Sequence, residues 1–251
     1  LAEQLAAERH LTVEQKMQTN LTLYEPSLAP LFHRYLGGTL GTSFDGAPAR
    51  RYPGGGSDQF ERAWASGFEQ ARAAGLEVGV LSLITPEALD NGAVAHLTML
   101  REQWGITRLQ LGLPYRSLVS RRGQWLDSRR CGLFLGDAYR WWHDHGGDAY
   151  LGIRPFAYLE RRASGLETEA DGPCEFSASC ADVLMCVAPS GDVTLCDNHV
   201  GSRHVPVWGN LFEDGLRACL RSEARREARR LCMSVQRARC LDCPYLPLCF
   251  G

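Results

Sequence analysis

No apolar run in this 251-residue chain approaches the roughly 18 residues that a membrane-spanning helix needs, so nothing in it reads as a transmembrane segment. It also lacks an excess of either charge. The 27 Lys and Arg stand against 29 Asp and Glu, which leaves no field to draw in nucleic acid or an anionic membrane. A charged start followed by an apolar stretch is missing too, so no signal peptide is visible and a cytoplasmic protein is expected. The chain opens on Leu1 rather than Met and stops at Gly251, directly after Cys249 and Phe250, and it reads as truncated at both ends.

What the chain does have is cysteine. Six of its ten cysteines form two groups near the C-terminus, Cys180, Cys186 and Cys196 (C-x5-C-x9-C) and Cys240, Cys243 and Cys249 (C-x2-C-x5-C). Disulfide frameworks belong mostly to short secreted chains without a core, whereas this chain is long and has apolar residues enough for one. Metal ligation is the better reading. A cubane iron-sulfur cluster takes four thiolates, so each triplet is one ligand short, while a C-x2-C pair is also half of a zinc-ribbon set. Spacing alone leaves iron-sulfur and zinc open.

The N-terminal half alternates strand and helix patterns. Strands are expected over Lys16–Tyr24, Thr39–Phe44, Leu76–Ile84 and Thr107–Leu113, the third apolar enough to be buried on both faces. Helices are expected from Pro26 to Leu36, from Asp58 to Ala74 with Phe60, Trp64, Phe68 and Ala71 in one stripe, and from Pro86 to Gln103. Strands joined by crossovers predict a parallel α/β fold, a barrel or an open sheet. Ligands in such folds sit at the carboxyl ends of the strands, where Gln18, Asn20, Ser43, Asp45 and Pro114 gather. Each could equally be a local turn former.

These residues resemble a known family. Gln18-Thr19-Asn20-Leu21-Thr22-Leu23, Gly41-Thr42-Ser43-Phe44-Asp45-Gly46, an arginine before the Gly54-Gly55-Gly56 turn, Ser57-x-x-Phe60 and Leu109-Gln110-Leu111-Gly112-Leu113-Pro114 are similar, in order, to strands three to six of radical S-adenosylmethionine (SAM) enzymes. The cysteine-rich tail, with Gly191 and the Trp208-Gly209-Asn210 turn, resembles their SPASM extension. The resemblance implies a partial (β/α) radical SAM barrel over 1–128, a helical bridge over 129–172 and a SPASM domain over 173–251. It implies S-adenosylmethionine as cofactor, bound by Gln18, Asn20 and Ser43 through hydrogen bonds and by Arg51 through its carboxylate. It implies auxiliary 4Fe-4S clusters on Cys180, Cys186 and Cys196 and on Cys240, Cys243 and Cys249. Asp197, directly after Cys196, matches the position where sulfatase-maturating members carry a general base, and it could equally cap the turn after the ligand. The C-x3-C-x2-C loop that holds the SAM-cleaving cluster in the family is absent from this sequence, so activity is expected of a longer parent rather than of this fragment.

The activity implied is that of an oxidoreductase: hydrogen abstraction from a precursor peptide or protein substrate followed by oxidative crosslinking, with electrons from a donor such as flavodoxin or ferredoxin. Formylglycine formation in a sulfatase is the first alternative, and a non-catalytic zinc-binding module the second. Three further features read as structural. Cys131, Cys174, Cys219 and Cys232 behave as small buried hydrophobes. The arginines between 221 and 230, interleaved with Glu223 and Glu227, form a solvated helix face. His143 and His145, two apart on a helix, cannot share a metal.

Overall fold

The computed structural model describes residues 6–46, 56–113, 126–166, 176, 180–197, 200 and 205–249, without the side chains of 57, 180, 181, 232–239, 247 and 249. Two units divide the chain, one made of Leu1–Pro114 with Leu126–Arg154, the other of Tyr115–Trp125 with Pro155–Gly251.

In the first unit a turn at Pro26–Leu28 leads into α1 (Ala29–Leu36), which stops at Gly37 in the left-handed region. β1 (Thr39–Ser43), β2 (Glu77–Leu83), β3 (Arg108–Gly112) and β4 (Gly152–Ile153) form a four-stranded parallel sheet in that order. Between them lie α2 (Ser57–Ala73), α3 (Pro86–Asn91), α4 (Ala93–Thr98) with a widened turn at Met99–Gln103, and α5 (Ser128–Asp144). The α/β class with a parallel sheet is as expected, and three of the four expected strands are present. Lys16–Tyr24 is the exception: it touches the sheet at a single parallel bridge, Gln18 to Gly41, and then turns away at Leu21, whose φ is 59°. The fourth strand is instead the two-residue β4, inside the stretch expected to be a helical bridge. The single helix expected over Pro86–Gln103 breaks at Gly92, where φ is 84°.

One face of the sheet makes the core. Leu40, Thr42 and Phe44 of β1 and the residue after it, Val78, Val80 and Ser82 of β2, and Leu109 and Leu111 of β3 are buried, while their alternate neighbours are only partly covered. β2 therefore alternates rather than being buried on both faces: Gly79, Leu81 and Leu83 are half-buried. Trp64 of α2 organises the covered side. Its ring stacks on Phe44 at 4.0 Å and Phe68 at 4.8 Å, meets Trp104 edge-on at 5.6 Å, and its indole N–H donates to Thr42 Oγ1 at 3.0 Å. That bond satisfies two polar groups which burial would otherwise penalise. α5 begins at Asp127, whose carboxylate accepts from Arg130 N–H at 2.8 Å, and it buries Cys131, Phe134, Ala138, Trp141 and Trp142 at helical spacing. Trp142 Nε1 donates to Leu151 O at 2.8 Å, which fixes the entry to β4.

The second unit holds α6 (Arg154–Ala163), α7 (Cys180–Val183), a small antiparallel sheet of β5 (Cys186–Val187), β6 (Asp192–Thr194) and β7 (Gly209–Asn210), then α8 (Leu216–Arg221), α9 (Glu223–Cys240) and α10 (Leu246–Cys249). Val193, Leu195, Trp208, Cys219 and Ala228 form its core.

Candidate functional site

At the open face of the parallel sheet, Thr19 N–H donates to Gly41 O and Gly41 N–H to Met17 O, both at 2.9 Å, which sets Gln18 opposite Gly41. Residues opposite one another share a face, and so do residues two apart on one strand. Gln18 therefore lies on the side of Ser43, and its Nε2 donates to Ser43 Oγ at 2.8 Å. The bond leaves Gln18 Oε1 to accept and the Ser43 hydroxyl to donate. Strand register carries the row across the sheet, Ser43 to Leu81 and Leu81 to Gln110. Gln110 sits half-buried on this face. Sequence reasoning quoted it inside a motif without assigning it a place; the alternation of β3, combined with register, is the signal that finds it.

Asn20 has a local engagement. Its Oδ1 accepts from Thr22 N–H at 3.2 Å and from Thr22 Oγ1 at 2.9 Å, an Asx turn that closes the excursion at Leu21. Only its amide nitrogen is left for a ligand. Asp45 is buried, and its Oδ1 accepts from Leu83 N–H at 2.8 Å, tying the end of β1 to that of β2. On the covered side, Ser82 Oγ and His96 Nε2 pair at 3.1 Å. Burial pushes the His96 pKa below its ordinary value, against a smaller upward pull from the Asp45 charge. Arg51 and Cys174 lie outside the described residues.

The second unit carries the sulfur. Cys186 on β5 stands opposite Thr194 of β6, with Cys196 two residues further on, and both cysteines are half-buried. Thr194 Oγ1 donates to Cys196 O at 3.2 Å. Between the strands Gly191 adopts φ 90°, and a Cβ there would lie 2.6 Å from Asn210 Oδ1 and against the Phe212 ring. Asn210 bolts this turn down: its Nδ2 donates to Ser190 O at 3.0 Å and Asp192 Oδ1 at 3.1 Å, and its Oδ1 accepts from Phe212 N–H at 3.0 Å. Cys240 ends α9, and Cys243 N–H donates to Cys240 O at 3.0 Å, which closes the C-x2-C turn. Cys180 opens α7 and Cys249 ends α10. Asp197 is exposed beside Cys196, and its carbonyl accepts from Val200 N–H at 3.1 Å.

Cys131, Cys186, Cys219, Cys240 and Cys243 are free thiols. Among the described residues no three His, Cys, Asp or Glu side chains converge on one point, and the side chains of Cys180 and Cys249 are outside that set. The donors fit a soft metal centre. They are thiols on short turns, and thiolates select iron-sulfur clusters or zinc. Among the described residues Trp208 Nε1 and Arg225 Nε are buried N–H donors with no hydrogen-bond partner. Among the described residues no helix is long and apolar enough to cross a membrane.

Residues 179–244 match the SPASM family, described as an iron-sulfur cluster-binding domain. No curated protein matches the sequence. Solved structures share the fold. anSMEcpe with bound AdoMet and Kp18Cys peptide is 19% identical, with a TM-score of 0.73, covering 99% of this chain and 68% of that one; anSMEcpe with bound AdoMet reaches a TM-score of 0.75 at the same identity and coverage. Streptococcus suis SuiB bound to precursor peptide SuiA is 13% identical, with a TM-score of 0.57 over 90% of this chain and 52% of that one. The chain thus spans about two thirds of one relative and half of the other.

Proposed function

We propose that this chain, which carries a SPASM iron-sulfur domain on a radical SAM-type fold, is the greater part of a radical SAM/SPASM maturase that modifies a ribosomally made peptide by hydrogen abstraction and oxidative crosslinking. In this reading residues 1–128 correspond to strands three to six of a (β/α) barrel, bridged through 129–172 to the auxiliary domain at 173–251. The observation that carries it is the joint one: a cluster-binding domain match over residues 179–244, in a fold that follows an AdoMet-bound structure over 99% of the chain.

Bound S-adenosylmethionine supplies the hydrogen-abstracting chemistry; the protein supplies orientation and exclusion of water. Ser43, whose Oγ is held by Gln18 Nε2, and Gln18 Oε1 would bind the ribose hydroxyls. The Asn20 amide N–H and the Arg51 guanidinium bind the methionyl end, the arginine as a bidentate fork to its carboxylate. Cys180, Cys186 and Cys196 hold one auxiliary 4Fe-4S cluster, and Cys240, Cys243 and Cys249 another. Asp197, beside the first set, accepts the proton released when substrate is oxidised.

A second reading, oxidation of a cysteine or serine to formylglycine, is favoured by one observation. Solved structures of anSMEcpe match with TM-scores of 0.73 and 0.72 while bound to AdoMet and the Kp18Cys or Cp18Cys peptide. The full protein, purified without oxygen and given S-adenosylmethionine and a reductant, is expected to release 5′-deoxyadenosine. No 5′-deoxyadenosine from iron-replete protein would end both readings.

A further inference from the structure

The arginine run of α9 is not one solvated face but two. Arg226 and Arg230 turn back to Glu223 of their own helix, Arg226 Nε reaching Glu223 Oε2 at 2.7 Å. Arg225 and Arg229, one turn apart, instead converge on Asp182. Arg229 Nη2 lies 3.0 Å from Asp182 Oδ2, and Arg225 Nη2 lies 3.9 Å from Oδ1 and 3.5 Å from the Asp182 main-chain oxygen. Arg225 is itself pinned: its guanidinium covers the Trp208 ring at 5.5 Å and donates to Leu220 O at 3.2 Å. Asp182 is thus held at both carboxylate oxygens and at its backbone.

Asp182 belongs to α7, the four-residue helix that Cys180 opens, and α9 is the helix that Cys240 ends. So short a helix has little stability of its own. What fixes its place is the contact with α9. With Asp182 39% exposed, ion pairs like these add little to global stability; their consequence is where they hold the cysteine two residues away.

We infer that Asp182, clamped by Arg225 and Arg229, is a positioning residue that fixes the place of α7, the helix Cys180 opens, against α9, the helix Cys240 ends. This rests on the iron-sulfur reading of those cysteines. Partners behind metal ligands, when removed, weaken metal retention by about ten- to a hundredfold.

The test uses the full protein purified without oxygen, with iron and sulfide followed as a chelator strips them. Asp182→Asn is expected to lose the iron of one cluster about tenfold faster than wild type, with the remaining iron leaving at the wild-type rate. Asp182→Glu, which keeps the carboxylate between the two arginines, restores retention. The unfolding midpoint of the iron-free form stays unchanged. Arg229→Gln, which removes one of the two arginines, gives an intermediate rate and serves if Asp182→Asn fails to fold. Wild-type loss rates in Asp182→Asn overturn the inference, as does uniform loss of all iron with a lowered iron-free midpoint, the mark of a merely structural contact. Wild-type protein that holds no iron overturns the iron-sulfur reading itself and the inference with it.

Discussion

Gly67, in the middle of α2, faces the main-chain carbonyl of Leu21 so closely that a Cβ at 67 would overlap that oxygen. Leu21 is buried in a left-handed conformation, and the excursion it makes carries Gln18 and Asn20 to the sheet edge. Gly67→Ala therefore forces either helix or turn to shift. Overpacking of this kind costs about 1–3 kcal/mol. A lower denaturant midpoint, accompanied by weaker AdoMet binding, is the expected outcome; an unchanged midpoint would show the turn to be compliant.

Ser43 and Gln18 form one unit, so their substitutions should not add. If Ser43 binds AdoMet as proposed, Ser43→Ala removes a hydrogen bond worth about 1 kcal/mol, roughly fivefold in the AdoMet Kd. Adding Gln18→Leu should cost less than its separate effect, since the partners share one network. Calorimetric titration of AdoMet checks this, and full additivity would separate the two residues.

His96 gives a pH dependence of stability. Burial holds its folded pKa below the ordinary 6.5, so the unfolded chain binds more protons whenever the pH lies under that value. Stability is therefore complete above about pH 6.5 and falls as the pH drops toward the folded pKa. His96→Gln should flatten the slope, at some loss of stability through the Ser82 contact. Denaturant midpoints across this range measure it. A slope unchanged by the substitution would assign it to other groups.

The hairpin that presents Cys186 and Cys196 depends on Gly191. Alanine there must adopt φ near 90° and meet Asn210 and Phe212, a strain of about 1–3 kcal/mol. Iron content per chain should fall with Gly191→Ala and with Asn210→Ala, which removes the bonds to Ser190 and Asp192. Full iron in both variants would detach the turn from the cluster.

Much of the fold was legible because its signals are local. Thr39–Phe44, Leu76–Ile84 and Thr107–Leu113 alternate or run apolar between glycine turns, and Phe60, Trp64, Phe68 and Ala71 mark one helical stripe. β4 was not legible: two residues between helices carry no period, and only pairing with Arg108 and Leu109 makes them a strand. Gln18 and Ser43 were nameable from motif order, but their hydrogen bond spans 25 positions and exists only through register. A still longer separation hid Asp182. Its arginines lie 43 and 47 positions downstream, so Glu223 and Glu227, close by in sequence, seemed partner enough for the whole run. At Asn20 the local turn that the sequence left open beside ligand binding is present, its Oδ1 accepting from Thr22.

The account depends most on cysteine-held iron. Iron and acid-labile sulfide should be measured in the full protein purified without oxygen, beside Cys196→Ser and Cys131→Ser variants. The account predicts brown wild-type protein, loss of one cluster's iron in Cys196→Ser and no change in Cys131→Ser. Colourless wild-type protein with stoichiometric zinc would contradict it.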